Sequence, residues 1–224
     1  MLIERAGYPG GVRGIFIVIE GLDGSGGTTQ TALLRDWMAQ TGRWAEVNTT
    51  REPSQGPVGV FLRQALQVAG SAPRIGDAVL PYLFAADRRD HLDREIIPAL
   101  QRCAAVISDR YYHSSLAYQS LSVGLARVVA LNAGFRKPDL TIFLDLPPEE
   151  CLERIVARGG ELERFETLDR LRAIAEAYET VLGRCRINGE RIVRISGRAD
   201  RASIHAEIVS SVQALLEEMP PEPR

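Results

Sequence analysis

Lysine is almost missing from this chain: of 27 Lys and Arg residues, 26 are arginine and only Lys137 is not. Arginine holds nearly every basic position, so a place that calls for a basic residue and has neither needs its own account. Cysteine is scarce too. Cys103, Cys151 and Cys185 are odd in number, widely spaced and outside any CxxC pattern, which argues against a disulfide framework or zinc spacing and fits free thiols in a reducing compartment. His91, His113 and His205 are equally scattered. The formal net charge of −2 argues against a broad basic face for a nucleic-acid polymer, while local arginine clusters can still hold small phosphates. No apolar run approaches the roughly 20 residues that span a bilayer. Residues 1–13 lack the apolar core of a signal peptide and carry Glu4, so they are expected to form a short disordered extension of a cytoplasmic chain.

What is present suits one compact domain with a substantial core: 224 residues, 45% hydrophobic and 25% charged. Strand-like and helix-like runs alternate, 14–20 with 28–42, 45–50 with 57–69, 104–108 with 114–133, 139–145 with 148–158, and 191–195 with 200–218. Five short β-branched or apolar strands separated by helices imply an α/β fold. Its sheet is expected to be parallel and covered on both faces, with ligand sites at the carboxyl ends of the strands. The domain is expected over 14–218, undivided by any linker, and the proline-rich 219–224 as a disordered tail. Two segments interrupt the alternation, a long additional helix over 77–102 and a polar, arginine-bearing stretch over 158–166. Both are candidates for handling substrate.

The first strand runs into GLDGSGGT at 21–28, and helical spacing follows from Thr28. Strand, glycine loop and helix stand in the order of a phosphate-binding loop, GxxxxGK(S/T), with one departure: Gly27 replaces the lysine. Gly21, Gly24 and Gly26 let backbone N–H groups turn toward phosphate oxygens beside the helix N-terminus. Ser25, Gly27 and Thr29 complete the nucleotide-binding run, and Thr28 offers a hydroxyl to Mg²⁺. A planar guanidinium suits that cradle poorly, which is a physical reason for the chain not to use arginine there. The other reading is a loop that no longer binds nucleotide.

Charge recurs after the next strands. Arg51 of TREP can fork onto a phosphate or stand as a solvated loop residue. Asp109 can order Mg²⁺ and Arg110 can neutralise a transferring phosphate, or the two can form a structural ion pair. Phe84 and Arg88 lie four apart and share a helical face, an aromatic surface able to stack on a base, although such a Phe also suits a core.

Taken together, GLDGSGGTTQ, TREP, FAADR, SDRYYHSSLAYQ, PDLTIFLDLPPEECLERI and RGGELERFE resemble the thymidylate kinase family of nucleoside monophosphate kinases, over about residues 14–215. The resemblance implies a P-loop kinase fold with a five-stranded parallel sheet and a lid, and a homodimer. It implies ATP- and Mg²⁺-dependent phosphorylation of dTMP to dTDP on the route to dTTP. By the same resemblance Asp23 falls near the sugar hydroxyl and the catalytic phosphates, and Arg51 holds the monophosphate. Phe84 stacks on thymine, Arg88 lies beside its carbonyl edge, and Asp109 and Arg110 match the pair of an acidic and a basic residue at the phosphates. Ser115, Tyr118 and Gln119 fall in the segment that closes over the thymidine. Some members carry a catalytic arginine directly after the acidic loop residue. Gly24 places this chain with those that carry it in the lid, where Arg158 and Arg164 are the candidates and Arg154 lies one turn earlier.

Losing one pre-aligned positive donor at a transferring phosphoryl group costs on the order of 3 to 4 kcal/mol. Arg158 or Arg164 is expected to reach the space beside Gly27, with a monovalent cation or water as the other possibility. Two further functions stay open: a catalytically silent nucleotide-binding or regulatory protein, and a kinase for another pyrimidine monophosphate such as dUMP.

Overall fold

The computed structural model describes residues 13–67, 75–159 and 165–219. The expected N-terminal extension up to residue 12, the tail from 220, and Arg164 with the rest of 160–164 lie outside the described residues.

Five strands, β1 (Ile15–Gly21), β2 (Val47–Arg51), β3 (Ala105–Asp109), β4 (Leu140–Asp145) and β5 (Ile192–Ser196), form one sheet in the order β2-β3-β1-β4-β5. Every pairing is parallel, as the alternation of strands and helices predicts. β1 is buried along its whole length, and its side chains divide between two cores. Ile15, Ile17 and Ile19 pack with Leu34, Met38, Ile204 and Ile208, from α1 (Gly27–Gln40) and α10 (Arg201–Glu218). Phe16 and Val18 face the other way and pack with Leu92, Leu116, Val128 and Val181. Period-two alternation thus assigns the helices to opposite faces of the sheet.

The remaining helices are α2 (Pro57–Leu66), α3 (Leu80–His91), α4 (Ile97–Gln101), α5 (Tyr112–Tyr118), α6 (Ser120–Val123), α7 (Leu125–Asn132), α8 (Pro148–Arg158) and α9 (Leu168–Ile187). Three helical expectations are corrected. The run over 77–102 starts at Leu80 and carries a π-helical turn at Leu92–Ile96, so it joins α3 to α4 with a widened turn. The run over 114–133 is three helices, interrupted at Gly124, whose φ of 81° lies in the left-handed region. The helix at 57–69 ends at Leu66, and its last residues 68 and 69 lie outside the described residues. α9, the longest helix, carries Tyr178 and Cys185 into the core. No range for it follows from the alternation pattern. Among the described residues no helix is long and apolar enough to cross a membrane.

Candidate active site

β1 is flanked by β3 on one side and β4 on the other, and the connection from β1 runs to β2 on one side while that from β3 runs to β4 on the other, which opens a crevice at the carboxyl ends of these strands. Two cavities lie there. The loop cavity, of about 630 Å³, is lined by the 20–30 segment, Asp109, Arg110, Arg154, Arg158 and the start of α10. The helix cavity, of about 270 Å³, is lined by Arg51, Glu52, Arg63, Phe84, Arg88, Ser115, Tyr118, Gln119 and Phe165. Asp23, Thr28, Asp109 and Arg110 line both.

The loop leaves β1 and enters α1 directly at Gly27. Gly24 has φ of 86°, and a Cβ there would stand 2.5 Å from the Cys151 carbonyl oxygen at the start of α8. No side chain fits, so arginine is sterically barred from this position. Gly27 differs in kind, because its backbone is helical and a Cβ there would meet Asp109 Oδ1 at 2.9 Å. The Asp109 carboxylate leans over the place where a lysine stem would begin. It is held there by the Thr28 hydroxyl, which donates to Asp109 Oδ2 at 2.5 Å. Burial pushes the Asp109 carboxyl above its ordinary value, against the pull of Arg110 and the Thr28 hydrogen bond. Thr28 and Asp109 offer oxygen donors of the kind Mg²⁺ takes, so the pair fits that ion.

Arg110 follows β3 with φ of 72°, an uncommon conformation for a side chain of this size. Its backbone N–H bonds to Ile19 of β1 at 2.8 Å, which fixes the turn. The guanidinium donates to Asp23 Oδ1 at 2.6 Å, Ser114 Oγ at 3.1 Å and the Tyr118 hydroxyl at 3.2 Å. Tyr118 in turn donates to Asp23 Oδ2 at 3.0 Å. Burial alone would lower the Arg110 pKa, but Asp23 and its neighbours carry it well above the ordinary value, so the charge is permanent.

In the helix cavity Arg88 is 1% exposed. It donates to Glu52 Oε2 and to Asn132 Oδ1, each at 2.5 Å, and to Ser115 Oγ at 3.1 Å. Among the described residues only its Nε lacks a partner, and buried Gln119 likewise has an Oε1 with none. Phe84 is half-buried and packs with Leu62, Leu66, Leu80 and Phe165. Arg51 is exposed at the end of β2, in register with Asp109, and makes no hydrogen bond or ion pair with the described residues. Arg158 lines the loop cavity, but its guanidinium is tied to Glu166 at 2.9 Å.

Every site residue expected from the sequence and lying among the described residues lines at least one of these cavities; Gly21, Gly24, Ser25, Gly26, Gly27, Thr29 and Arg158 line the loop cavity alone. Glu52, Arg63, Phe165 and Ser114 were not anticipated individually. Glu52 sits within TREP and Phe165 within the lid segment, so their motifs pointed near them. Arg63 is a lone arginine on α2 whose guanidinium bonds the Pro53 and Ser54 carbonyls at 2.6 and 2.5 Å, and nothing in its spacing marks it.

The family model for thymidylate kinase matches residues 19–208. A probable thymidylate kinase of Thermococcus kodakarensis is 36% identical over 210 residues, covering 91% of this chain and 100% of the relative. One from Pyrobaculum calidifontis is 38% identical, covering 91% and 96%. A thymidylate kinase of Xanthomonas oryzae pv. oryzae is 37% identical, covering 89% and 85%.

Proposed function

This chain belongs to the thymidylate kinase family, and on that premise we propose that it transfers the γ-phosphoryl group of ATP to dTMP, forming dTDP on the route to dTTP in the cytoplasm. One observation carries the reading: two cavities of unequal size meet at a shared wall of Asp23, Thr28, Asp109 and Arg110. A donor and an acceptor bound one on each side would bring their phosphates together at that wall.

The loop cavity takes ATP, its phosphates over Gly21–Thr29 and the N-terminus of α1. Magnesium, held by Thr28 and Asp109, would supply charge neutralisation on the phosphate oxygens. Arg110 faces the transferring group with a charge that Asp23 and Tyr118 orient, so little reorganisation is left for the moment of transfer. In the helix cavity Arg51 takes the monophosphate of dTMP, the Phe84 ring stacks on the base, and Arg88 Nε and Gln119 offer a donor and an acceptor to polar edges. Tyr118 and Ser115 fix the wall between. The homodimer implied by family membership places no residue in this account.

Gly27 removes the lysine's charge, and Arg158 or Arg164 supplies it when the lid closes. Arg158 already lines the cavity that Gly27 lines, and its own side chain is 61% exposed, so reaching Gly27 means giving up the contact with the buried Glu166 carboxylate. A coupled assay with ATP, Mg²⁺ and dTMP, run beside dUMP, tests the reading. Turnover of dTMP above background supports it, a preference for dUMP reassigns the base, and binding without turnover identifies a silent relative. If Arg158→Ala and Arg164→Ala turn over like the parent while Gly27→Lys gains nothing, the charge has not moved to the lid.

A further inference from the structure

Behind Arg110 a file of buried polar groups runs away from both cavities. Ser114 Oγ accepts from Arg110 and donates to Glu20 Oε2 at 2.7 Å. Glu20 is 1% exposed and also accepts from the Tyr178 hydroxyl at 2.9 Å and the backbone N–H of Tyr111 at 2.8 Å. Beyond it lies His113, fully buried on α5, with Nδ1 3.7 Å from Glu20 Oε1 and Nε2 2.9 Å from Glu190 Oε2. Each nitrogen of one imidazole therefore faces a carboxylate, Nε2 at hydrogen-bond distance and Nδ1 at ion-pair distance with no hydrogen-bond partner among the described residues. A neutral ring carries a single N–H and would turn a lone pair toward one of those carboxylates, whereas the doubly protonated ring presents a proton to both.

The surroundings agree. Cys185 of α9 completes a cluster with His113 and Glu190 whose candidate ligand atoms lie within 4.8 Å of one another. A metal on these three would take the His113 Nε2 lone pair and leave Nδ1–H to Glu20, so a bound metal and a doubly protonated ring exclude one another. Burial pulls the His113 pKa down, but the neighbouring Cys185, Glu190 and Glu20 groups carry it well above the ordinary value. Burial pushes the Glu20 and Glu190 carboxyls up, and both nonetheless lie below their ordinary values, chiefly because of His113. The other groups facing this cluster are Tyr112, which donates to Glu190 and stacks on the His113 ring, and Lys137, which adds positive charge near Glu190. Tyr178 and Arg110 face Glu20.

We propose that His113 is a positioning residue for phosphoryl transfer: as a buried imidazolium it keeps Glu20 ionised, and Glu20, through Ser114 and Tyr178, holds Arg110 at its angle toward Asp23. This rests on the kinase reading. Without the imidazolium, Glu20 sits buried with less counter-charge and binds a proton more readily. Once protonated it is a weaker acceptor and carries a proton of its own, so the ionised carboxylate that orients the Ser114 and Tyr178 hydroxyls is lost and with it the fixed direction of the serine that receives Arg110.

Only three histidines are present, so nitrogen NMR of labelled imidazoles resolves His113 by its loss in His113→Gln. The parent is expected to show an imidazolium for His113 from about pH 6 to about pH 8, through the range where an ordinary histidine titrates. In His113→Gln, kcat falls about tenfold with both KM values nearly unchanged, and the acid limb of the kcat profile rises by about one pH unit, each equivalent to one unit of pKa. Glu190→Gln, which spares the Glu20 contact, moves that limb less. The raised folded-state pKa means that the stability His113 adds is fully present below about pH 6.5 and is lost as pH rises through the folded value, so the urea-midpoint gap between parent and variant closes at alkaline pH.

A neutral His113 tautomer at pH 7 in the parent overturns the proposal, and this spectrum needs no variant to fold. So does a His113→Gln enzyme whose kcat profile overlays the parent's. If no nucleoside monophosphate is phosphorylated, the kinase reading fails by itself. The imidazolium spectrum, together with a His113→Gln change in the Arg110 side-chain resonance, would still support the placement of Arg110.

Discussion

The two cavities share a wall yet are built in opposite ways. In the helix cavity the deep charges were paired when the chain folded, Arg88 and Glu52 being 1% and 3% exposed with Asn132 and Ser115 taking further Arg88 donors, and of its charges Arg51 alone stands exposed at the rim. In the loop cavity the cations other than Arg110 lie at the edge, and Arg158 is 61% exposed. One side therefore meets the cost of ordering during folding, and the other defers it until substrate arrives. The missing lysine belongs to the deferred side. A residue from the lid can replace a charge at an open edge, whereas nothing could replace Arg88 from outside.

The largest effect should come from breaking the prepaired side. Arg88→Met leaves Glu52 buried with only His91, 3.4 Å away, beside it, and a broken buried pair costs about 3 to 5 kcal/mol. Adding Glu52→Leu removes the orphaned charge and should recover much of that loss in urea unfolding. Binding of dTMP should not recover in the double variant. If it does, the helix cavity needs Arg88 for stability alone, and the contrast between the cavities loses its functional half.

Gly27→Ala tests the deferred side at smaller cost. The added methyl falls 2.9 Å from Asp109 Oδ1, so the carboxylate must leave the Thr28 hydroxyl or tilt about it. Helix propensity offsets part of the strain, and stability is expected to change by less than about 1 kcal/mol. Turnover is more sensitive, since misplacement by about 1 Å can cost about 10²-fold. A fall in kcat with an unchanged urea midpoint would show that glycine at 27 and the lean of Asp109 are one adaptation. Unchanged kcat would leave the glycine as a simple loss of lysine.

The same contrast governs what was legible in the sequence. Strand ends were readable because buried β-branched runs stop abruptly at charge, as at Ser108-Asp109-Arg110 and Thr50-Arg51, and the parallel sheet follows from their spacing. The loop motif placed Thr28 and Gly27 to the residue. Glu52 and Ser114 were hidden because a carboxylate or hydroxyl that partners a buried cation has the same letter as one facing water, and only the contact separates them. Gly124 hid a helix break inside an apolar run, since periodicity carries no record of φ. The lean of Asp109 over Gly27 joins residues 82 positions apart, and no local pattern reports it.

The smallest effect expected is also the one that divides the wall between the cavities. Tyr118→Phe removes the hydroxyl that donates to Asp23 and accepts from Arg110, while the ring keeps its edge contact with Phe165 at 5.6 Å and its place under the Arg110 guanidinium at 5.3 Å. Packing is conserved and one hydrogen-bond pair is lost, about 1 kcal/mol. Because Asp23 and Arg110 line both cavities, kcat should fall about fivefold, by the same conversion of energy to rate, with the KM values for ATP and dTMP moving little. A rise confined to the KM for dTMP would instead assign Tyr118 to the helix cavity, and Asp23 would then orient Arg110 without its help.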